Sequence, residues 1–138
     1  MMTNRMQSLA TASVTSYEPM CSYLEGVEKG CSTIFAIQEH HVNVGRLGEF
    51  QDRVADLGFR GLWSPASTTS KGGTSGGAAI LGPSSTTLTA PPGLESHIIW
   101  DARAVAAHCH WGVPGGIVVI CAYLDTELGF EGENLAII

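Results

Sequence analysis

The pattern of apolar and polar positions predicts two helices in the first half of the chain. Thr15-Ser16-Tyr17-Glu18 fits a capping box, and apolar residues recur behind it at helical spacing, which predicts a helix over about residues 16–29. A second apolar stripe predicts a helix with Asn43 as its N-cap and Gly58 as its C-terminal stop. The residues of this second stripe are Val44, Leu47, Phe50, Val54 and Leu57.

Short apolar runs predict strands in the rest of the chain. Ile34-Phe35-Ala36-Ile37 is too short for a typical helix, so we expect a strand that is covered on both faces and ends at Gln38-Glu39. Further strands are predicted over about residues 61–65, 78–81, 97–100, 102–108 and 116–124, with Gly-, Ser-, Thr- or Pro-rich loops between them. Helices followed by a run of strands indicate an α+β fold, an α/β sandwich in which helices pack against sheets.

Composition and charge narrow the classes of function. With 44% hydrophobic and 14% charged residues, the 138-residue chain can form one packed domain. The net charge of -6 argues against strong nucleic-acid binding by this chain alone, because basic groups supply much of that affinity. No apolar run reaches the roughly 18 residues of a membrane span. We therefore expect no membrane partner and favour an intracellular location, nuclear or cytoplasmic.

The cysteines and histidines give little support for a metal site. The four cysteines form no C-x-x-C pair, and we interpret them as reduced. His108 and His110 lie two apart on a predicted strand and should face the same side. Together with His40, His41 and Cys109 they suggest zinc, but their spacing matches no structural zinc motif. Packed or surface histidines are the favoured interpretation.

Several segments, taken in order, resemble one family. Residues 32–39 resemble a family strand that ends in Gln-Glu, and residues 58–63 with 76–81 resemble a glycine-rich hairpin. Residues 102–105 resemble the next strand, and residues 115–124 resemble a strand that ends in a tyrosine. The chain thus resembles the endonuclease/exonuclease/phosphatase superfamily, which includes deoxyribonuclease I, AP endonucleases and the endonuclease domains of non-LTR retrotransposons.

This resemblance implies a fold and a chemistry. The fold would be a two-sheet deoxyribonuclease I-like sandwich with flanking helices over residues 11–138, and we expect residues 1–10 to be disordered. The reaction would be hydrolysis of a nucleic acid or another phosphate ester with Mg²⁺, which polarises the phosphate. Glu39 matches the family's metal ligand, Tyr123 matches its phosphate-contacting tyrosine, and Arg103 matches a common basic position.

The sequence also departs from the family pattern. Ser13 stands where the family has an asparagine beside the metal, and a hydroxyl lacks the amide's simultaneous donor and acceptor. The sequence contains no Asp-x-Asn and no Asp-His, which would complete the active site. We therefore expect an incomplete domain whose C-terminal part is missing and which is inactive alone.

Other interpretations stay open from the sequence alone. Glu39 could be a surface acid that closes a strand, and Tyr123 could lie at the sheet rim. The chain could be a non-catalytic binding or assembly module that self-associates through an exposed sheet edge. It could also be part of a phosphatase that acts on a small phosphate ester, which suits the acidic balance.

Overall fold

A computed structural model describes residues 7–13, 32–70, 72–110 and 114–122. Within these ranges the chain forms ten strands and one helix. In chain order they are β1 (Gln7–Ser13), β2 (Ser32–Gln38), α1 (Leu47–Asp56), β3 (Phe59–Ser64), β4 (Ser67–Thr68), β5 (Thr74–Ser75), β6 (Ala78–Pro83), β7 (Leu88–Thr89), β8 (Ile98–Trp100), β9 (Ala104–Cys109) and β10 (Ile117–Ala122). The helix predicted over residues 16–29 lies outside the described residues, and β1 already begins at Gln7.

The first sheet has the strand order β1-β2-β6-β3. β1 runs parallel to β2, and the other two pairs are antiparallel. Its register places Ser13 opposite Gln38, Gln38 opposite Ala78, and Ala78 opposite Ser64. These four residues form one row across the sheet, so the polar ends of three strands lie at the same edge.

The second sheet is antiparallel and is built around β9. β10 pairs with β9 on one side, while β7 and β8 pair with it on the other. Ala122 lies opposite Ala104, and Ile117 lies opposite Cys109. β4 and β5 form a separate two-stranded hairpin in the predicted Gly-rich loop.

The two faces of the first sheet bury different partners because side chains alternate along a strand. Ile34 and Ala36 of β2 pack with Ile80 of β6 against β9 and β10 of the second sheet. Phe35 and Ile37 face the opposite side, where they pack with Phe50 of α1. The continuous apolar run in β2 is therefore covered on both faces, as the sequence predicts.

The helix α1 begins later than the sequence predicts. Arg46, not Asn43, is its N-cap, and Arg46 makes no side-chain capping bond. A turn separates Asn43 from the helix, with the Arg46 N–H donating to the Asn43 carbonyl over 3.1 Å. Val44 lies in this turn and is 78% exposed, so it was wrongly assigned to the buried stripe. The predicted C-terminal stop is confirmed, because Gly58 follows the helix with φ 92°.

The described chain is thus a mixed α+β fold, which confirms the predicted class at that level. No helix in the described ranges is both long enough and apolar enough to cross a membrane.

Candidate functional site

Glu39 directly follows β2 at the polar edge of the first sheet. Its backbone takes a left-handed conformation with φ 56°, which turns the chain out of the strand. The Glu39 N–H donates to the Gly77 carbonyl over 2.7 Å, and the His41 N–H donates to the Gly76 carbonyl over 3.0 Å. The backbone around the carboxylate is therefore fixed to the start of β6.

The imidazole of His40 anchors this turn from inside. His40 is 1% exposed, and the Val42 N–H donates to its Nδ1 over 2.9 Å. Since Nδ1 accepts, the proton must lie on Nε2, which donates to the Ser64 carbonyl over 3.1 Å. Both ring nitrogens are used, so a neutral His40 joins the end of β2 to the end of β3.

Ser64 connects the same turn to the second sheet. Its side chain is fully buried, and its Oγ accepts from the Ala102 N–H over 2.7 Å. The Ala102 carbonyl in turn accepts from the Gly77 N–H over 2.6 Å. We call the connected group of Glu39, His40, Ser64, Gly77 and Ala102 the Glu39 corner.

Left-handed backbone is concentrated around the Glu39 corner. The described non-glycine residues with positive φ are Glu39, His41 and Ala102, at 56°, 57° and 63°. Each such conformation costs of order 1–3 kcal/mol and persists only where its surroundings enforce it. Here the enforcing contacts are the hydrogen bonds of Gly76 and Gly77 to all three residues. Strained backbone of this kind is common at functional sites.

Polar contacts also join the end of β10 to the end of β2. The Gln38 side-chain amide donates to the Ala122 carbonyl over 2.8 Å. One residue earlier in each strand, the Cys121 thiol contacts the Ile37 carbonyl at 3.4 Å. Burial raises the pKa of the Cys121 thiol to about 11, so this thiol stays protonated and can donate. The last residues of β10 are thereby held against the Glu39 corner.

The structure describes three of the four predicted site residues. Glu39 is half-buried in the corner, and Arg103 is half-buried directly after Ala102, with its N–H donating to the Trp100 carbonyl over 3.0 Å. Ser13 ends β1 beside Gln38. Tyr123 lies outside the described residues and directly follows Ala122. The backbone topology brings Ser13, Glu39 and Arg103 to one edge of the fold.

The donor groups at this edge fit one class of metal ion better than another. Within the described ranges, no three His, Cys, Asp or Glu side chains are grouped so that they could hold a metal. His40 has no ring nitrogen left for a metal. Zinc sites need three or four such side chains, whereas Mg²⁺ is commonly held by one or two carboxylates together with waters and substrate phosphate. Among the described residues, a single carboxylate at Glu39 is compatible with Mg²⁺ and falls short of the three or four ligands of a zinc site.

The residues that hold the corner were not identified from the sequence. The sequence favours a packed or surface position for His40, near the mouth of the site because it follows Glu39, but nothing in its neighbours indicates that both ring nitrogens are bonded. Ser64 carried no signal beyond its place before Pro65 at a strand end. Gly76-Gly77 was a stronger signal, because a double glycine before a buried strand often marks a position that needs positive φ or close contact.

Comparisons of the chain with known protein families, with curated protein sequences and with solved structures find no match.

Replacing Gly77 with alanine should destabilise the corner more than the same change at an open glycine. Gly77 has φ 97°, and an added Cβ would lie 2.6 Å from His40 Nδ1. Gly93→Ala is the matched control, because Gly93 has φ 87° and no neighbour within 4 Å of an added Cβ. We expect Gly93→Ala to cost about 1–2 kcal/mol for the left-handed backbone. Gly77→Ala should cost a further ~1–3 kcal/mol for overpacking. Urea denaturation measures both, and equal losses would contradict the close contact with His40.

Stability should fall as the pH drops below neutrality. Burial lowers the pKa of His40 from 6.5 to about 4, with hydrogen bonds to backbone groups of Ser64 and Ala78 acting in the opposite direction. Between these two values the unfolded chain binds a proton that the folded chain does not. The contribution of His40 is therefore complete above pH 6.5 and decreases toward pH 4, by about 3 kcal/mol in all.

This pH dependence can be separated from that of the carboxylates. Urea denaturation of the wild-type chain and of His40→Gln at pH 7 and pH 5 isolates the contribution of the imidazole. We expect the loss of stability between these pH values to be about 2 kcal/mol smaller in the variant. The same loss in both proteins would contradict the assignment, as would an NMR titration in which the ring signals of His40 shift near pH 6.5.

Proposed function

We propose that this chain carries the cation-binding part of a metal-dependent phosphoric ester hydrolase of the endonuclease/exonuclease/phosphatase type. The observation that supports the proposal is the convergence of polar chain segments at one sheet edge. The ends of β1, β2 and β10 and the turn before β9 meet around Glu39. In this proposal the two packed sheets are part of a deoxyribonuclease I-like sandwich, and Glu39 is the Mg²⁺ ligand.

Glu39 is suited to this role by the way the chain holds it. A fixed backbone limits the positions that the carboxylate can reach. The Glu39 N–H is bonded to Gly77, and the next residue is locked by two hydrogen bonds of its ring. A half-buried glutamate on a fixed backbone is compatible with a hard cation that takes few protein ligands and keeps several waters.

The substrate group would be a phosphate ester bound next to the cation. Arg103 follows the Ala102 residue of the corner, and a guanidinium can contact phosphate oxygens with two parallel N–H groups. Tyr123 would supply a phenolic hydroxyl from the chain segment after β10. The net charge of -6 leaves little basic surface for a long nucleic acid, so any basic contribution must be local to Arg103.

Turnover by these 138 residues is not expected. The sequence lacks the Asp-x-Asn and Asp-His groups that would position the attacking water, and groups that act as a unit lose most of their effect together. Ser13 in place of asparagine weakens the support of the metal site further. The role of Glu39 should therefore be measured as cation binding and not as a rate of hydrolysis.

The proposal predicts that Glu39 is needed to bind a divalent cation. Mn²⁺, used in place of Mg²⁺, enhances the relaxation of water protons when it binds the purified chain. We expect Glu39→Gln to weaken Mn²⁺ binding at least about tenfold, because the proposal assigns the cation to the Glu39 carboxylate and the amide carries no charge. Glu49→Gln is the control, since Glu49 is an exposed acid in the first turn of α1, and it should leave the affinity unchanged.

Two outcomes would contradict this account. Equal Mn²⁺ affinity of the wild-type chain and Glu39→Gln would exclude Glu39 as the ligand. Divalent-cation-dependent nicking of supercoiled plasmid that Glu39→Ala abolishes would keep the metal role but contradict the expected lack of turnover.

One observation favours a second candidate function, assembly without catalysis. Within the described ranges β10 pairs only with β9, and its outward residues Val118 and Ile120 are 51% and 66% exposed. A strand that has one unpaired edge and an apolar outer face can pair with another chain. No Mn²⁺ binding together with a dimer in light scattering would favour this function over the hydrolase.

A further inference from the structure

Two histidine side chains meet at the far end of the second sheet. His108 is the fifth residue of β9, and His110 directly follows the strand. Side chains two residues apart in a strand project to the same side. Their ring centres lie 4.4 Å apart with the ring planes at 72°. Cys109, between them, is buried on the opposite face in the core between the sheets.

This spacing suits two ligands of one metal ion. Imidazole nitrogens bind late first-row metals at about 2.0–2.1 Å, so two rings in neighbouring 90° positions have centres roughly 4.5 Å apart. The observed 4.4 Å is close to that value. Imidazole is a good ligand for late first-row ions such as Ni²⁺ and Cu²⁺, so two rings this close can supply two of their positions.

A backbone carbonyl sets the tautomer of His108. Nε2 of His108 lies 2.6 Å from the Gly115 carbonyl oxygen. A carbonyl can only accept, so Nε2 carries the proton and Nδ1 keeps its lone pair. Metal-binding histidines commonly donate their other ring N–H to a carbonyl in this way, which orients the ring and raises its basicity. His108 thus has the arrangement of a metal ligand that is already oriented.

Two glycines before β10 allow this carbonyl to approach the ring. Gly115 and Gly116 both have left-handed backbone, with φ 85° and 76°. A Cβ at Gly116 would lie 3.0 Å from His108 Nε2 and still closer to the Cys109 carbonyl. Glycine at position 116 therefore permits the close approach that orients the imidazole.

The histidine pair is distant from the Glu39 corner. Ala104, at the start of β9, lies opposite Ala122 at the corner end of β10, whereas His108 lies opposite Val118. Six residues of extended chain separate Ala104 from His110, which is roughly 20 Å. His110 is exposed, so solvent ions can reach the pair.

From these observations we propose that His108 and His110 form a surface site for a late first-row transition-metal ion of the Ni²⁺ or Cu²⁺ class. Two imidazoles supply neighbouring positions, and waters fill the others. The site is separate from Glu39, which as an oxygen ligand suits a hard cation. It requires no group beyond the two rings and the Gly115 carbonyl that orients one of them.

Ni²⁺ is the probe of choice, because it binds imidazole without oxidising the thiols. Isothermal titration calorimetry at pH 7.5 should show binding that His108→Gln and His110→Gln each weaken at least about tenfold, since each removes one of two ligands. His97→Gln is the matched control, because glutamine keeps an N–H donor for the Trp63 carbonyl that His97 contacts at 2.8 Å. It should retain wild-type affinity.

NMR locates the ion independently of affinity. At substoichiometric Ni²⁺ the ring signals of His108 and His110 should broaden first, while those of His97 stay sharp. Wild-type Ni²⁺ affinity in both His108→Gln and His110→Gln would overturn the proposal. Equal broadening of all histidine rings would do the same.

Discussion

A buried, neutral imidazole with both nitrogens hydrogen-bonded is the interaction on which the polar edge of this fold depends. His40 accepts from the Val42 N–H and donates to the Ser64 carbonyl, inside a core that excludes water. An unpaired polar group in such a place would cost about 1–3 kcal/mol, so removing either partner is expensive. The pair of bonds fixes where β2 ends, where β3 ends, and how the chain passes between them.

This one arrangement sets the geometry of everything around Glu39. The ring of His40 leaves no room for a side chain at Gly77, and Gly77 holds both the Glu39 N–H and the Ala102 carbonyl. The first sheet is thereby joined to the turn that precedes β9. Gln38 adds a second connection, to the end of β10. The carboxylate of Glu39 is consequently presented from a rigid edge where segments of both sheets meet, which is the basis for the proposed cation site.

The strands and the helix of the described fold can largely be predicted from the sequence pattern, whereas the Glu39 corner cannot. The apolar run of Ile34–Ile37 requires cover on both faces, and residues 117–120 are rich in β-branched side chains, so both strands are predictable from composition and length. The start of α1 was placed too early, because Val44 continues the helical spacing while its backbone forms a turn. The spacing of apolar residues shows which side chains could share a helix face, but it does not show where a turn precedes the helix.

The candidate site shows the same limit. Glu39 and Arg103 could be singled out because a resemblance assigned them roles, and the register places Ser13 opposite Gln38, the residue before Glu39. The anchoring role of His40 could not be predicted, because its partners are backbone groups that lie 2 and 24 residues away along the chain. Residues of almost any type supply the same backbone N–H and C=O groups, so the sequence does not indicate these partners. Contacts of this kind become visible only when the strands are assembled.

The state of the His40 ring at neutral pH tests the central claim most directly. Long-range ¹H–¹⁵N correlation spectra distinguish a protonated ring nitrogen from one that carries a lone pair. The account predicts a neutral ring with the proton on Nε2 and with Nδ1 accepting from the Val42 N–H. A proton on Nδ1, or a charged or rapidly exchanging ring at pH 7, would contradict it, because the Glu39 corner would then lack its anchor.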